Sequence, residues 1–371
     1  MKKSFVFAMA ASLAAALPSP DFGDIELFNV TESSFSQGED FDFVQPRARG
    51  PWNGPVMDIS FPDPTLFIDS NGVWWAFATS SDNNGHIPVA TSNDGEKWTF
   101  AKMDALPDVG PWVDSGDRGI WAPSVFQNDE GKYVMYFSGK RSGARRCAGT
   151  ATSDYPQGPY AVTEQPLICD DAGGGVIDPV QFDDGTTRWI LWKVDGNALG
   201  GKTTCTGSGG GSGDYKPTPI RIQKVTRDGL TLQGSPKTIF DHNGAGDDGV
   251  VEGPAMWKRR PVTDPMRRTR AQVLFFSTHC YSSDSYDIQY AWGTSPDASF
   301  GHRQTLAKSG PNQPVYGPGH MDIASDGATI AFHGRDKPGN PSDTKRRMYV
   351  GKIRFPEGDY SEGIKVVNYQ G

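Results

Sequence analysis

No stretch of this 371-residue chain carries the spaced apolar pattern of a long helix, and after residue 17 no run is long and apolar enough for a membrane-spanning helix. Basic residues are outnumbered by acidic ones, 36 Lys and Arg against 44 Asp and Glu, and form no dense patch. The formal net charge is −8, and the runs Lys258-Arg259-Arg260, Arg267-Arg268 and Lys345-Arg346-Arg347 are short and lie between strand signals. They read as solvated loops, so nucleic acid is not an expected partner. Cysteine is limited to four residues with no CxxC spacing, which argues against a zinc site. No GxSxG occurs, which removes the signature of a serine nucleophile elbow. What is abundant is Gly (45), Pro (28) and aromatic residues (11%), the composition of a large all-β domain with many turns.

Residues 1–17 have the form of a secretory signal: Lys2 and Lys3, then an Ala-rich apolar stretch from Phe5 to Leu17, with cleavage expected near Ala16 to Ser19. The expected organisation is a signal at 1–17, an N-terminal extension at 18–55 with a sequon at Asn29, and one catalytic β domain at 56–371. An oxidising compartment makes disulfides the natural reading of the cysteines. Cys147 and Cys169 flank one hairpin-like stretch and are expected to pair, which leaves Cys205 with Cys280. The Gly/Ser run Gly207–Gly213 is expected to be a mobile loop. A secreted monomer is expected, with neither nucleic acid nor membrane as partner.

A short proline-marked run recurs five times. It reads Asp63-Pro64-Thr65-Leu66-Phe67, Ala122-Pro123-Ser124-Val125-Phe126, Asp178-Pro179-Val180-Gln181-Phe182, Glu252-Gly253-Pro254-Ala255-Met256 and Gly317-Pro318-Gly319-His320-Met321. The prolines lie 59, 56, 75 and 64 residues apart. After most copies come a turn rich in Asp, Asn and Gly and then a strongly β-prone segment, such as Asp69-Ser70-Asn71-Gly72 before Val73-Trp74-Trp75-Ala76-Phe77. A third and a weaker fourth strand follow. Five such meanders predict a five-bladed β-propeller, with the first strand of each blade lining the channel. A β-sandwich of hairpins is the alternative, but it gives no reason for five matching units.

Three of the five runs carry an acid: Asp63, Asp178 and Glu252. An Asp-Pro pair alone is commonly a strand opener, as Asp264-Pro265 illustrates. Repetition at blade spacing is different, because it gathers one carboxylate from each of three units. Glycosidic hydrolysis needs a protonated acid for the leaving oxygen and an ionised partner for the nucleophile, which carboxylates in unlike environments supply. Trp74, Trp75, Trp121, Trp192 and Trp257 are candidate sugar-stacking rings. Trp75 and Trp192, in mid-strand, read as core, whereas Trp121 precedes a channel-facing strand.

In this order and spacing, Asp63-Pro64, Trp121-Ala122-Pro123, Ile177-Asp178-Pro179, Val251-Glu252-Gly253-Pro254 and Gly317-Pro318-Gly319-His320 resemble glycoside hydrolase family 43 from about Phe61 to Phe355. The resemblance implies a five-bladed propeller and an inverting mechanism on arabinose- or xylose-containing cell-wall polysaccharides. By position it implies that Asp63 is the general base, Glu252 the general acid, and Asp178 the residue that tunes and orients the acid. It places Trp121, His320 and, more loosely, Arg335 at the substrate. No cofactor is implied for the reaction, although some members hold a calcium ion through waters near the residue matched by His320. A fructan hydrolase on the same fold, or an inactive carbohydrate-binding propeller, remains an alternative.

Overall fold

The computed structural model describes residues 50–81, 85–206, 213–259, 272–310, 314–339, 345–357 and 360–367. The expected signal, the sequon at Asn29, the Gly/Ser residues 207–212 and positions 260–271 of the basic insertion lie outside the described residues. The described strands form five antiparallel sheets.

Four blades are built in chain order. Blade 1 runs Thr65–Ile68, Trp74–Phe77, Pro88–Ser92 and Thr99–Asp104. Blade 2 runs Trp121–Gln127, Tyr133–Lys140 and Arg146–Ser153, with the short strands Ala161–Val162 and Ile168–Cys169 both paired to the third. Blade 3 comprises Val176–Asp183, Arg188–Val194, Ile220–Val225 and Leu232–Phe240, and blade 4 comprises Val251–Lys258, Gln272–Thr278, Asp287–Gly293 and Gly301–Ala307. Blade 5 has Tyr316–Ile323, Thr329–Arg335 and Arg347–Arg354, and its outer edge is completed from both directions, by Lys365–Val367 and by Trp52–Asn53. Among the described residues the propeller sheet includes Trp52–Asn53, ahead of the expected boundary at 56.

The ring closes because each inner strand packs on the inner strands of both neighbours, the fifth against the first. Asp322 of blade 5 accepts hydrogen bonds from the Thr65 hydroxyl (2.7 Å) and the Leu66 amide (2.8 Å) of blade 1. Each sheet is covered on both faces. This is why segments such as Val273-Leu274-Phe275-Phe276 are continuously apolar and completely buried rather than alternating. Five apolar clusters result, one between every adjacent pair of blades; Trp192 belongs to the cluster between blades 2 and 3. Trp52 lies across Gly351 so closely that a Cβ there would come within 2.6 Å of its ring, so this closing contact requires glycine.

Both expected disulfides form. Cys147–Cys169 joins paired strands of blade 2, and Cys205–Cys280 joins the long loop of blade 3 to a loop of blade 4. Among the described residues no helix is long and apolar enough to cross a membrane.

Candidate active site

Each inner strand, or the residues just before it, carries a positive-φ residue: Asp63 (55°), Ala122 (45°), Asp178 (54°), Gly253 (57°) and His320 (48°), with Gly317 (53°) a second one in blade 5. In blades 2 to 5 the ladder register shifts across this residue, the mark of a β-bulge. In the first four blades the next residue is a proline, which has no N–H to give to the ladder. The bulge breaks the alternation of side chains, so two consecutive residues face the same mouth of the channel.

This geometry corrects the sequence alignment in two places. The blade 5 counterpart of Asp63 is His320, three residues beyond Gly317, because Asp322 occupies the pairing position held by Thr65 in blade 1. Glu252 also stands one residue ahead of the register of Asp63 and Asp178, at the position that Trp121 holds in blade 2. The pattern of prolines misled in blade 5, where Met321 follows the bulge and Pro318 precedes it. Gly319 has its own cause: a Cβ there would lie 1.8 Å from the Tyr286 ring.

Asp63, Asp178, Glu252, Trp121 and His320 all line one cavity of about 580 Å³, and the three carboxylates are nearly buried. Arg335 does not line it. Its side chain is fully buried and reaches Asp284 Oδ1 (2.5 Å) and the Tyr281 carbonyl (3.3 Å), so it anchors the loop that carries the wall residues Tyr281 and Tyr286. Trp121 is among the more exposed large side chains at 37%, with the Arg146 guanidinium stacked 3.3 Å from its ring centroid. Arg146 is itself fixed by Gly119 O and Asp117. Cys205 also lines the cavity, and its disulfide to Cys280 ties its loop to the Tyr281 loop.

Asp63 accepts a 2.5 Å hydrogen bond from Thr79 on Oδ2, while its Oδ1 faces Arg346 Nη1 (3.2 Å), His333 Nδ1 (3.0 Å) and His320 Nδ1 (3.6 Å). Burial favours its neutral form, but Arg346, His320 and His333 outweigh that and hold Asp63 well below the usual carboxylate range. His333 is fully buried, stacked on Tyr286 at 5.6 Å, and burial with the nearby Arg346 charge pushes it down to about 4. Asp178 accepts the Gly253 amide at 2.8 Å. Burial pushes Asp178 up to about 6; the charges of Glu252 and Asp63 add to this, and His320 and Lys193 oppose it. Glu252 is joined to Lys193, Oε2 to Nζ, at 2.8 Å.

The residues near Asp63 that the sequence reading passed over are Arg346 and His333, and near Glu252 Lys193. Arg346 belongs to the basic run 345–347, which as sequence has the pattern of a solvated loop. The signal for it was weak: strand pairing puts Arg347 opposite Gly334, which brings its neighbour to the channel end of blade 5. Among the described residues no group of three His, Cys, Asp or Glu side chains converges into a direct ligand cage. No step below runs through a metal.

Chemically, the cavity holds one carboxyl, Asp63, kept well below the ordinary range beside the Arg346 guanidinium, and a second, Asp178, pushed up by burial beside Glu252. Comparison with known proteins agrees with this equipment. The family model described as Glycosyl hydrolases family 43 matches residues 52–360. A segment of 92 residues is 37% identical to a probable arabinan endo-1,5-alpha-L-arabinosidase C of Aspergillus flavus, covering 24% of this chain and 28% of that protein. The chain thus spans little more than a quarter of that relative's length. Over 313 residues it is 24% identical to a beta-xylosidase of Xylanibacter ruminicola, covering 76% of this chain and 88% of that protein. The crystal structure of a thermostable family-43 glycoside hydrolase superposes with a TM-score of 0.66 at 22% identity, over 85% of this chain and 95% of that one, a likeness of fold.

Proposed function

The chain belongs to glycosyl hydrolases family 43, and from that premise we propose that it is a secreted, inverting glycoside hydrolase of arabinose- or xylose-containing polysaccharides or oligosaccharides. The observation that carries the reading is the meeting of Asp63, Asp178 and Glu252, from three blades, in one cavity with opposite electrostatic surroundings. Glu252 gives its proton to the leaving glycosidic oxygen, and the C–O bonding pair departs with that oxygen. A water attacks the anomeric carbon from the other face and passes its proton to Asp63, which the Arg346 guanidinium beside it keeps ionised and ready to accept. Asp178 repels charge on Glu252 and so helps it keep its proton until it is needed. Trp121 supplies a flat ring for a sugar C–H face. Two disulfides and the signal-like residues 1–17 support export.

Arabinan hydrolysis is favoured over xylosidase action, since the relative of higher identity carries an arabinan name. The test is incubation with arabinan, arabinoxylan and xylan, with identification of the released sugars and proton NMR of the first anomer formed. Arabinose or its oligomers, released with inverted configuration, is the expected result. A retained anomer overturns the mechanism, and no release from any of the three overturns the substrate class.

A further inference from the structure

Lys193 lies on the second strand of blade 3, opposite Ile177 and so next to Asp178 in the ladder, and its side chain is 1% exposed. A buried ammonium is costly unless it is paired. Its partners are Glu252 Oε2 at 2.8 Å and Asp195 Oδ1 at 3.3 Å. Burial favours the neutral amine, but Glu252, Asp195 and Asp178 together outweigh it and raise its pKa above the ordinary value. Lys193 is therefore a fixed cation that touches the carboxyl assigned as the acid.

We propose that Lys193 is a positioning residue for Glu252: it holds the carboxyl in place and stabilises the negative charge that appears there as the proton leaves. The proposal rests on the reading of Glu252 as general acid. On proton transfer Glu252 becomes a carboxylate 2.8 Å from a cation, so release of the proton is favoured just as the leaving oxygen needs it. Asp178 acts in the opposite sense, since its charge makes Glu252 hold the proton. The two neighbours set one balance from the same blade. The other groups facing it are Asp195, which also feels Arg146; Tyr286, a neutral phenol against Glu252; and His320 and Asp63, which face Asp178.

The test compares pH profiles of kcat/KM for the full chain and its variants on an arabino-oligosaccharide and on an aryl arabinoside with a good leaving group, with thermal melts to establish folding. Lys193→Met should move the alkaline limb up by about 1–3 pH units, because removing a cation makes the acid hold its proton more tightly. It should slow the oligosaccharide about 10²-fold near neutrality and the aryl glycoside much less, since a good leaving group needs little proton donation. Lys193→Arg should return the limb toward its original position. Asp178→Asn should move it down. A folded Lys193→Met protein whose alkaline limb stays put or moves down overturns the proposal. If that variant does not fold, Asp195→Asn decides: it leaves the ammonium to Glu252 and Asp178, so the limb must move down, and an unmoved limb overturns the proposal. Failure of the underlying reading looks different: Glu252→Gln would then hydrolyse both substrates at the original rate.

Discussion

Asp63 and Asp178 sit at the same point of their blades. Each precedes a proline, each has φ near 55°, and each has its carboxyl in the same cavity. Their protonation nevertheless diverges. Around Asp63 stand Arg346, His333 and His320, and its pKa is held well below the ordinary range. Beside Asp178 stand Glu252 and Lys193, and burial and like charge push Asp178 up to about 6. The strand bulge delivers a carboxyl to the channel mouth, and the adjacent blades decide whether that carboxyl is charged.

The largest expected effects separate the two sides of the site. Asp63→Asn should cost roughly 10²–10⁴-fold in kcat/KM on oligosaccharide and aryl glycoside alike, because both substrates need an activated water. Glu252→Gln should cost as much on the oligosaccharide but far less on the aryl glycoside. Initial rates on the pair of substrates check this, and equal losses for Glu252→Gln on both would erase the proposed division of roles.

A smaller effect is expected at Arg346. Arg346→Met removes a cation from Asp63, so the base binds its proton more readily and the acid limb of kcat/KM should rise by about 1–2 pH units. That amounts to a ten- to hundredfold loss on the acid side of the profile and little change near neutrality. An unmoved limb in a folded variant would mean that the Arg346 charge does not set the ionisation of Asp63.

The smallest effect on turnover is expected at His333, where the readout is stability. Its folded pKa of about 4 lies below the ordinary value near 6.5, so the unfolded chain binds the extra proton first. The stabilising contribution is present above about pH 6.5 and is lost as pH falls toward 4, by roughly 1–3 kcal/mol. Urea midpoints at pH 7.5 and 4.5 should differ less in His333→Gln than in the parent protein. An unchanged difference would assign the acid sensitivity to other groups.

Much of this was legible in the chain. Five proline-marked runs gave the blade count, turn chemistry gave the hairpins, and cysteine placement gave both disulfides. Asp63, Asp178, Glu252, Trp121 and His320 are all marked by the repeat, and all line one cavity. Arg335 was placed in the wrong layer, because a guanidinium near a site reads the same whether it faces the sugar or braces a loop. In blade 5 proline does not mark the register, because the ladder is set by which residue bulges.

The amino-acid sequence by itself determined the repeat, the strands and the residue types delivered to the channel, since these follow from local pattern and turn preference. Only the tertiary structure decided which charges face each carboxyl. Arg346 and His333 reach Asp63 across 283 and 270 residues, and Lys193 reaches Glu252 across 59. A pKa is set by burial and by charges a few ångströms away, and those distances exist only after five separate sheets have closed into one ring.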